Sequence, residues 1–393
     1  MPFEVPGNWC WATIGELFQL QAGKSIEAPQ ISTCKDVTHI YPCYGGNGLR
    51  GYVESYNRDG LFPIIGRQGA LCGNINIAEG KFYATEHAVV VETFANIDIQ
   101  LFVYFLIQLN LNQYATATAQ PGLAVKTINE VPIPLPPINE QHRISMAIEK
   151  SLDTLSEIDQ SKHAIRKSIL QLKSRILDLA ISGKLAAQDC SDEPALELLR
   201  RINPSYAPCD NRHYENLPQN WEECALKDIV EIQNGYAFKS SLYSNDGVRV
   251  IRITNVQDGY IMDDSPKYYP LSHMDGLEDY MLKGNDLLMS LTGNVGRVAM
   301  MPAGLLPAAL NQRVCCITPK SSEVCKEFLF YLLRTDSFIT SCIESGKGVA
   351  QLNVSTEWLK SYRIALPPKD EQRRIVKAIQ NIMTEIDKIL ADL

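Results

Sequence analysis

The stretch LPPINEQHRI at residues 135–144 returns as LPPKDEQRRI at residues 366–375. A chain that writes one junction twice, 231 residues apart, is built from two copies of one plan. A second echo supports the duplication: VPGNWCWATIGELFQLQAG at 5–23 returns as LPQNWEECALKDIVEIQNG at 217–235, an offset of 212. The two offsets differ by 19 residues, so the mounts match while the segments between them differ in length.

Each repeat of the junction reads as a helix start. The paired prolines, Pro136-Pro137 and Pro367-Pro368, hold the preceding residue out of helical geometry. Asn139 and Asp370 follow as N-cap types, and Glu140 and Glu371 place an acid at the positive end of the helix dipole. After the first junction no proline or glycine occurs until Gly183. Heptad d positions fall on Ile144, Ser151, Ile158, Ile165, Leu172 and Leu179, and a positions on Ile148, Leu155, Lys162, Ile169 and Ile176. This predicts a coiled-coil seam about 40 residues, or 60 Å, long. The second junction opens the same seam with Ile375, Ile379, Ile382, Ile386 and Ile389, reaching Leu393. By internal two-fold symmetry the two helices are expected to pair antiparallel. The shorter second helix leaves half of the first to pack on something else.

Residues 24–134 and 236–365 mix strand runs such as HAVVVETF and VRVIRIT with turn signals such as YGGNG and SNDGV. A fainter echo lies within them. FPIIGRQGALCGNI and DLLMSLTGNVGRVAM each run from an apolar strand into a polar glycine loop. ATEHAVVVE and ALNQRVCCIT each place three polar residues before an apolar strand. The expected fold is α+β: two globular α/β domains, 1–138 and 217–369, in tandem pseudo-two-fold repeat. They are separated by a long spacer helix, 139–184, a connector, 185–216, holding one short amphipathic helix, and a second helix, 370–393.

No constellation for chemistry emerges. Gly23-Lys24-Ser25 has Phe18 where a phosphate-binding loop needs its first glycine. GGNGLRG at 45–51 lacks the strand-to-helix setting of a dinucleotide site. NPSY at 203–206 resembles the adenine-gripping motif of amino-methyltransferases, but Ser205 stands at its third position and no glycine-rich cofactor loop precedes it. The eleven cysteines form no CxxC pair and the six histidines no HxxxH, so reduced, mostly buried thiols and no metal are expected. The longest apolar stretches, such as IDIQLFVYFLIQL, are too short and interrupted to cross a bilayer, and residues 1–12 have no signal-peptide character. A soluble cytoplasmic protein is expected. A net charge of −8 argues against unspecific coating of nucleic acid, though it allows positive groups gathered on one face.

The loops do hold a hydrogen-bonding vocabulary suited to DNA. Lys24, Tyr44, Asn47, Arg50, Arg67 and Gln68 lie in the first globular segment. Lys239, Arg252, Asn255, Thr292, Asn294, Arg297, Asn311, Gln312, Arg313, Lys347 and Gln351 lie in the second. Arginine reads guanine edges and Asn or Gln adenine edges in the major groove, while lysine holds phosphates. Loops are polar for bland reasons too. It is the set, on a two-headed architecture, that points to DNA.

Taken together, VPGNW with its repeat LPQNW, the paired LPPxxEQxRI helix starts, and SGKLAAQD with DEPALELLRRI after the long helix resemble the specificity subunits of type I restriction–modification systems. The resemblance spans essentially the whole chain. It implies two target recognition domains, each reading one half of a bipartite, asymmetric DNA site, on an antiparallel coiled coil. It implies a subunit with no catalysis of its own and no bound cofactor. Two modification subunits would use S-adenosylmethionine to methylate adenine, and two restriction subunits would use ATP and Mg2+. Family members often carry a second helix comparable to the first, which this chain does not match. Two other classes compete on the residues alone: a self-contained DNA methyltransferase or nuclease, and a two-module adaptor that binds no DNA.

Overall fold

The computed structural model describes residues 3–69, 71–94, 96–116, 121–208, 214, 216–346 and 352–393. The chain divides into two compact units, Met1–Asp159 and Gln160–Leu393.

In the first unit the Trp motif leads into β1 (Cys10–Thr13), α1 (Ile14–Leu17) and β2 (Phe18–Ala22). Seven strands follow: β3 (Tyr41–Gly45), β4 (Gly48–Val53), β5 (Arg58–Asp59), β6 (Phe62–Gly66), β7 (Ile75–Ala78), β8 (Lys81–Ala84) and β9 (Ala88–Thr93). Then come α2 (Ile99–Gln108), α3 (Val125–Asn129), β10 (Pro132–Leu135) and the long helix α4 (Ile138–Ile181), whose second half belongs to the other unit. One sheet has the order β2-β9-β6-β7, a second β4-β3-β8-β5, and β1 pairs antiparallel with β10. The central strands are continuous apolar runs because both their faces are covered. Ile65, Val89 and Val91 pack with Phe18, Phe102 and Leu106 on one side; Ile64 and Val90 pack with Phe82 on the other.

The second unit contains α5 (Ala195–Ile202), β11 (Glu222–Ala225), α6 (Leu226–Ile229), β12 (Val230–Asn234), β13 (Val248–Ile251), β14 (Tyr268–Tyr269), β15 (Leu287–Ser290), β16 (Val298–Met300), β17 (Ala308–Leu310) and β18 (Val314–Pro319). It ends with α7 (Lys326–Leu332), α8 (Asp336–Ser345), α9 (Thr356–Ser361), β19 (Arg363–Leu366) and α10 (Lys369–Asp392). Its main sheet, β12-β18-β15-β16, repeats the order of β2-β9-β6-β7. β13 lies parallel to β17 as β3 does to β8, and β11 pairs with β19 as β1 does with β10. The buried strands again divide between two clusters: Cys315 and Ile317 face one, Cys316 the other. That explains two adjacent buried cysteines. Burial pushes both thiols up, Cys316 to about 11. The extra length of this copy lies between β13 and β15 and in α8, where the described residues of the first unit have only a 3-10 turn, Leu111–Tyr114.

The glycine that closes each Trp echo has a steric cause. A Cβ on Gly23 would stand 2.1 Å from the Ala84 carbonyl oxygen, and one on Gly235 2.2 Å from that of Asn311. Both positions bring two backbones into contact that only glycine permits.

The repeated Glu-Gln also acquires a cause. Gln141 donates from Nε2 to the Pro136 carbonyl (2.7 Å) and accepts at Oε1 from the Asp98 amide (2.9 Å), the N-cap of α2. Gln372 donates to the Pro367 carbonyl (3.0 Å) and accepts from the Cys325 amide (2.8 Å), the N-cap of α7. Both glutamines are buried. The glutamates meet the Trp motif: Asn8 donates to Glu140 (3.0 Å), and the Trp221 indole donates to buried Glu371 (2.9 Å).

Three expectations change. The helices begin one residue early, at Ile138 and Lys369. Pro368 therefore occupies the cap position of α10 without a side-chain cap bond, and Asn139 and Asp370 lie in the first turns. The connector is part of the second unit: Ala195, Leu198 and Leu199 are buried in its core, and Arg201 bridges Glu193 (2.6 Å) and Glu323 (3.0 Å). The helical seam closes in part. α10 runs antiparallel to the second half of α4, with Lys173 on Asp387 (2.6 Å) and Lys162 on the Leu393 carbonyl (3.0 Å). Ile176, Ile375, Ile379 and Ile386 are buried, and Ile144, Ile148, Ile169 and Ile382 half-buried. Leu155, Ile158, Ile165, Leu172, Leu179 and Ile389 are exposed within the chain.

Gln372→Leu leaves the half-buried Cys325 amide and the Pro367 carbonyl without this partner and is expected to destabilise the chain by ~1–3 kcal/mol, read as a lower urea midpoint. Asp370→Ala at the neighbouring exposed position is expected to change it by less than about 0.5 kcal/mol. Glu371 supplies a pH test. Burial holds its carboxyl above the ordinary 4.5, so the folded chain binds that proton more tightly than the unfolded one. The stabilisation is complete below the unfolded value and is lost as pH rises through the folded one. Glu371→Gln keeps an acceptor for Trp221 and removes the charge. It is expected to be more stable than the parent at pH 7, the gap closing below about pH 4.

Candidate nucleic-acid interface

At one end of the first unit, four loops are stitched together by backbone hydrogen bonds. The Lys24 amide donates to Ala84 (2.9 Å), the Thr85 amide to Tyr44 (2.9 Å), the Arg67 amide to His87 (2.8 Å) and the Leu123 amide to Arg67 (2.9 Å). A Cβ on Gly46 would lie 2.8 Å from the Gln68 carbonyl, so the β3–β4 turn belongs to the same cluster. The cluster presents Lys24, Asn47 and Gln68 as exposed side chains and Arg67 as a half-buried one. Arg50 is exposed nearby on β4.

The second unit builds the same cluster from different residues. The Tyr236 amide donates to Leu310 (2.9 Å), Asn311 to Ile251 (3.2 Å), Leu291 to Arg313 (3.0 Å) and Val354 to Leu291 (2.8 Å). Exposed here are Asn294, Gln312 and Arg313, with Thr292 half-buried and 3.3 Å from the Asn353 side chain. Lys239 is exposed just beyond, at the start of a 3-10 turn.

The other candidates have structural employment. Asn255 is buried; it accepts from the Arg252 amide (3.0 Å) and donates to the Met262 carbonyl (2.8 Å), so it leaves the candidate surface. Arg252 donates to the Ser265 carbonyl (2.8 Å) and Arg297 to Gln257. Asn311 is buried in the bridge to Tyr236. Tyr44 is half-buried with its ring against Phe82 (5.7 Å), and burial raises its phenol above the ordinary value. Lys347 and Gln351 lie outside the described residues.

Sequence reasoning passed over Glu86 and His87, which sit in the middle of the first cluster with imidazole and carboxylate 3.4 Å apart. The signal was present: they are the counterparts of Gln312 and Arg313 in the ATEH/ALNQR echo. A fixed backbone end carrying cationic and amide side chains can hold phosphates and meet base edges. Among the described residues no group of three His, Cys, Asp or Glu side chains is placed to hold a metal, and no helix is long and apolar enough to cross a membrane.

Comparison with known proteins agrees with this architecture. Residues 6–170 and 218–391 each match the family described as the type I restriction modification DNA specificity domain. The chain is 42% identical over 167 residues to the EcoprrI specificity subunit of Escherichia coli, an alignment covering 42% of this chain and 41% of that protein. It is 25% identical to the EcoAI specificity subunit of E. coli, over 99% of this chain and 80% of that one. It is also 25% identical to the MjaVIII specificity subunit of Methanocaldococcus jannaschii, over 96% and 87%. In fold it is similar to a chain solved in work on complex assembly and conformational transition of the type I R-M system, with a TM-score of 0.64 and 16% identity over 100% of this chain and 94% of that one. It is likewise similar to the HsdS subunit of Thermoanaerobacter tengcongensis, with a TM-score of 0.56 and 16% identity over 98% and 92%. With the family's domain written twice over most of its length, the chain belongs to the type I restriction–modification DNA specificity family.

Proposed function

We propose that this chain is the non-catalytic DNA-reading subunit of a type I restriction–modification complex, each unit reading one half of a bipartite, asymmetric site. The observation that carries the reading is the pair of loop clusters: one backbone scaffold, built twice, bearing different exposed polar side chains. Identical side chains would read a symmetric site. Different ones on equivalent backbones read two unlike half-sites.

In this reading Lys24, Arg50 and Lys239 contact phosphates, which gives salt-dependent affinity. Two modification subunits are the proposed partners, binding S-adenosylmethionine and flipping the target adenine, with restriction subunits using ATP and Mg2+ for cleavage. Those cofactors belong to the partners in this reading, and the complex works in the cytoplasm. The net charge of −8 fits a subunit whose partners complete the positive channel around DNA. An internal repeat offers two like surfaces to two copies of one partner. The exposed apolar residues of α4, Leu152, Leu155 and Ile158, are a surface such a partner would cover.

Methylome sequencing of a host with and without the chain and its modification partner is expected to show a bipartite motif with one methylated adenine in each half. A methylation pattern indifferent to the chain removes the reading. Lys24→Ala is expected to weaken DNA binding about equally across sequences and to reduce the slope of log affinity against log salt by ~1. Leu155→Asp with Ile158→Asp is expected to leave the unfolding midpoint of the isolated chain unchanged within about 0.5 kcal/mol. Co-purification of the modification subunit should be lost.

A further inference from the structure

The backbones of the two loop clusters correspond residue by residue. Gly23 donates to Ala88 (2.9 Å) as Gly235 does to Val314 (3.2 Å), and Ala88 donates to Thr85 (2.9 Å) as Val314 does to Asn311 (2.9 Å). Gly69 donates to Pro121 (3.0 Å) as Gly293 does to Leu352 (2.9 Å). The isolated bridges match as well: Lys24 with Thr85 and Tyr236 with Asn311 run parallel, Gln68 with Gly122 and Thr292 with Asn353 antiparallel. This register makes Glu86 the counterpart of Gln312, and His87 the counterpart of Arg313.

The turn 85–87 stands out in the first unit. Thr85 Oγ1, Glu86 Oε2 and His87 Nδ1 are buried polar atoms with no partner in the chain. Thr85 lies wholly inside, while the Glu86 and His87 side chains keep 36% and 41% of their surface exposed, so the turn shows polar chemistry at its second and third positions. Glu86 sharpens the point. A carboxylate on a DNA-facing surface repels phosphates, and its useful role there is to accept from the amino group of a cytosine. The imidazole beside it offers a donor, and an acceptor as well when neutral. In the second unit the same two positions hold a glutamine, which matches an adenine edge, and an arginine, which matches a guanine edge.

We infer that the turns 85–87 and 311–313 are the matched base-reading elements of the two units, Glu86-His87 serving one half-site and Gln312-Arg313 the other. The inference rests on the DNA-reading function proposed above and narrows it to two positions in each unit. Because the backbone is held by its own hydrogen bonds, the side chains at these positions can be exchanged without rebuilding the scaffold.

The test uses the full chain reconstituted with its modification subunit and a library of duplexes with randomised positions, sequencing the bound fraction. Parent complex, the double variant E86Q/H87R and the reciprocal Q312E/R313H are compared. Each double variant is expected to change its preference at one or two adjacent positions of one half-site, by about 5- to 150-fold, the value of a bidentate base contact. The other half-site stays as in the parent. A preference identical to the parent's, or one lost evenly across a half-site, overturns the assignment. Thermal unfolding checks that the variants fold; should a double variant fail, H87Q and R313K carry the same comparison. A parent complex that enriches no sequence removes the DNA reading itself, an outcome distinct from a parent that reads DNA while the variants change nothing.

Discussion

Each unit is anchored by one buried glutamine. Gln141 and Gln372 sit at the start of a long helix, and each uses its amide in both senses, donating to a proline carbonyl and accepting from the amide that caps another helix. No carboxylate or hydrocarbon of similar size can do both. The proline carbonyl lies at the end of a strand whose partner is the Trp-motif strand, so chain start, closing strand and spacer helix meet at a single junction. Losing either bond leaves a buried main-chain group unpaired, and this explains why Glu-Gln is written twice when so little else is.

From that junction the two copies follow one plan with little shared sequence. Central strands bury both faces, which demands only apolar residues of suitable size, so Ile64-Ile65 and Val89-Val90-Val91 in one copy stand where Leu288-Met289 and Cys315-Cys316-Ile317 stand in the other. The loop ends obey a different rule. Main-chain hydrogen bonds and close glycine contacts fix them, and neither constrains the exposed side chains. Scaffold and surface chemistry are therefore separable, a property a protein that reads many different sites across a family needs.

What could be read in the sequence follows the same division. The repeat, the long helix and the strand runs were legible because they rest on local patterns: paired prolines, heptads, apolar runs. Local pattern puts the helix starts one residue late, because Asn and Asp suit a cap position while the clamp is made by the glutamine beyond them. The 185–216 segment looked like a linker by composition, yet buried Leu198 and Leu199 and the Arg201 ion pairs tie it into a core assembled from distant residues. The polar candidates divide for the same reason. Gln312 and Asn255 are equivalent to a reader of sequence. Only the fold shows one in solvent and the other bonded to Met262.

The seam of α4 shows what a pattern alone leaves open. Its heptads run the length of the helix with polar breaks only at Ser151 and Lys162, but an apolar stripe is satisfied only where a second surface meets it. Ile176 finds one in the second unit, where α10 runs alongside as far as Lys162. Leu155 and Ile158, before that stretch, remain 57% and 46% exposed, and within it Ile165, Leu172 and Leu179 remain 44%, 49% and 44% exposed. Exposed apolar side chains contribute little to a helix in water and lower its solubility. Under the proposed function, Leu155 and Ile158 are the positions a modification subunit would cover.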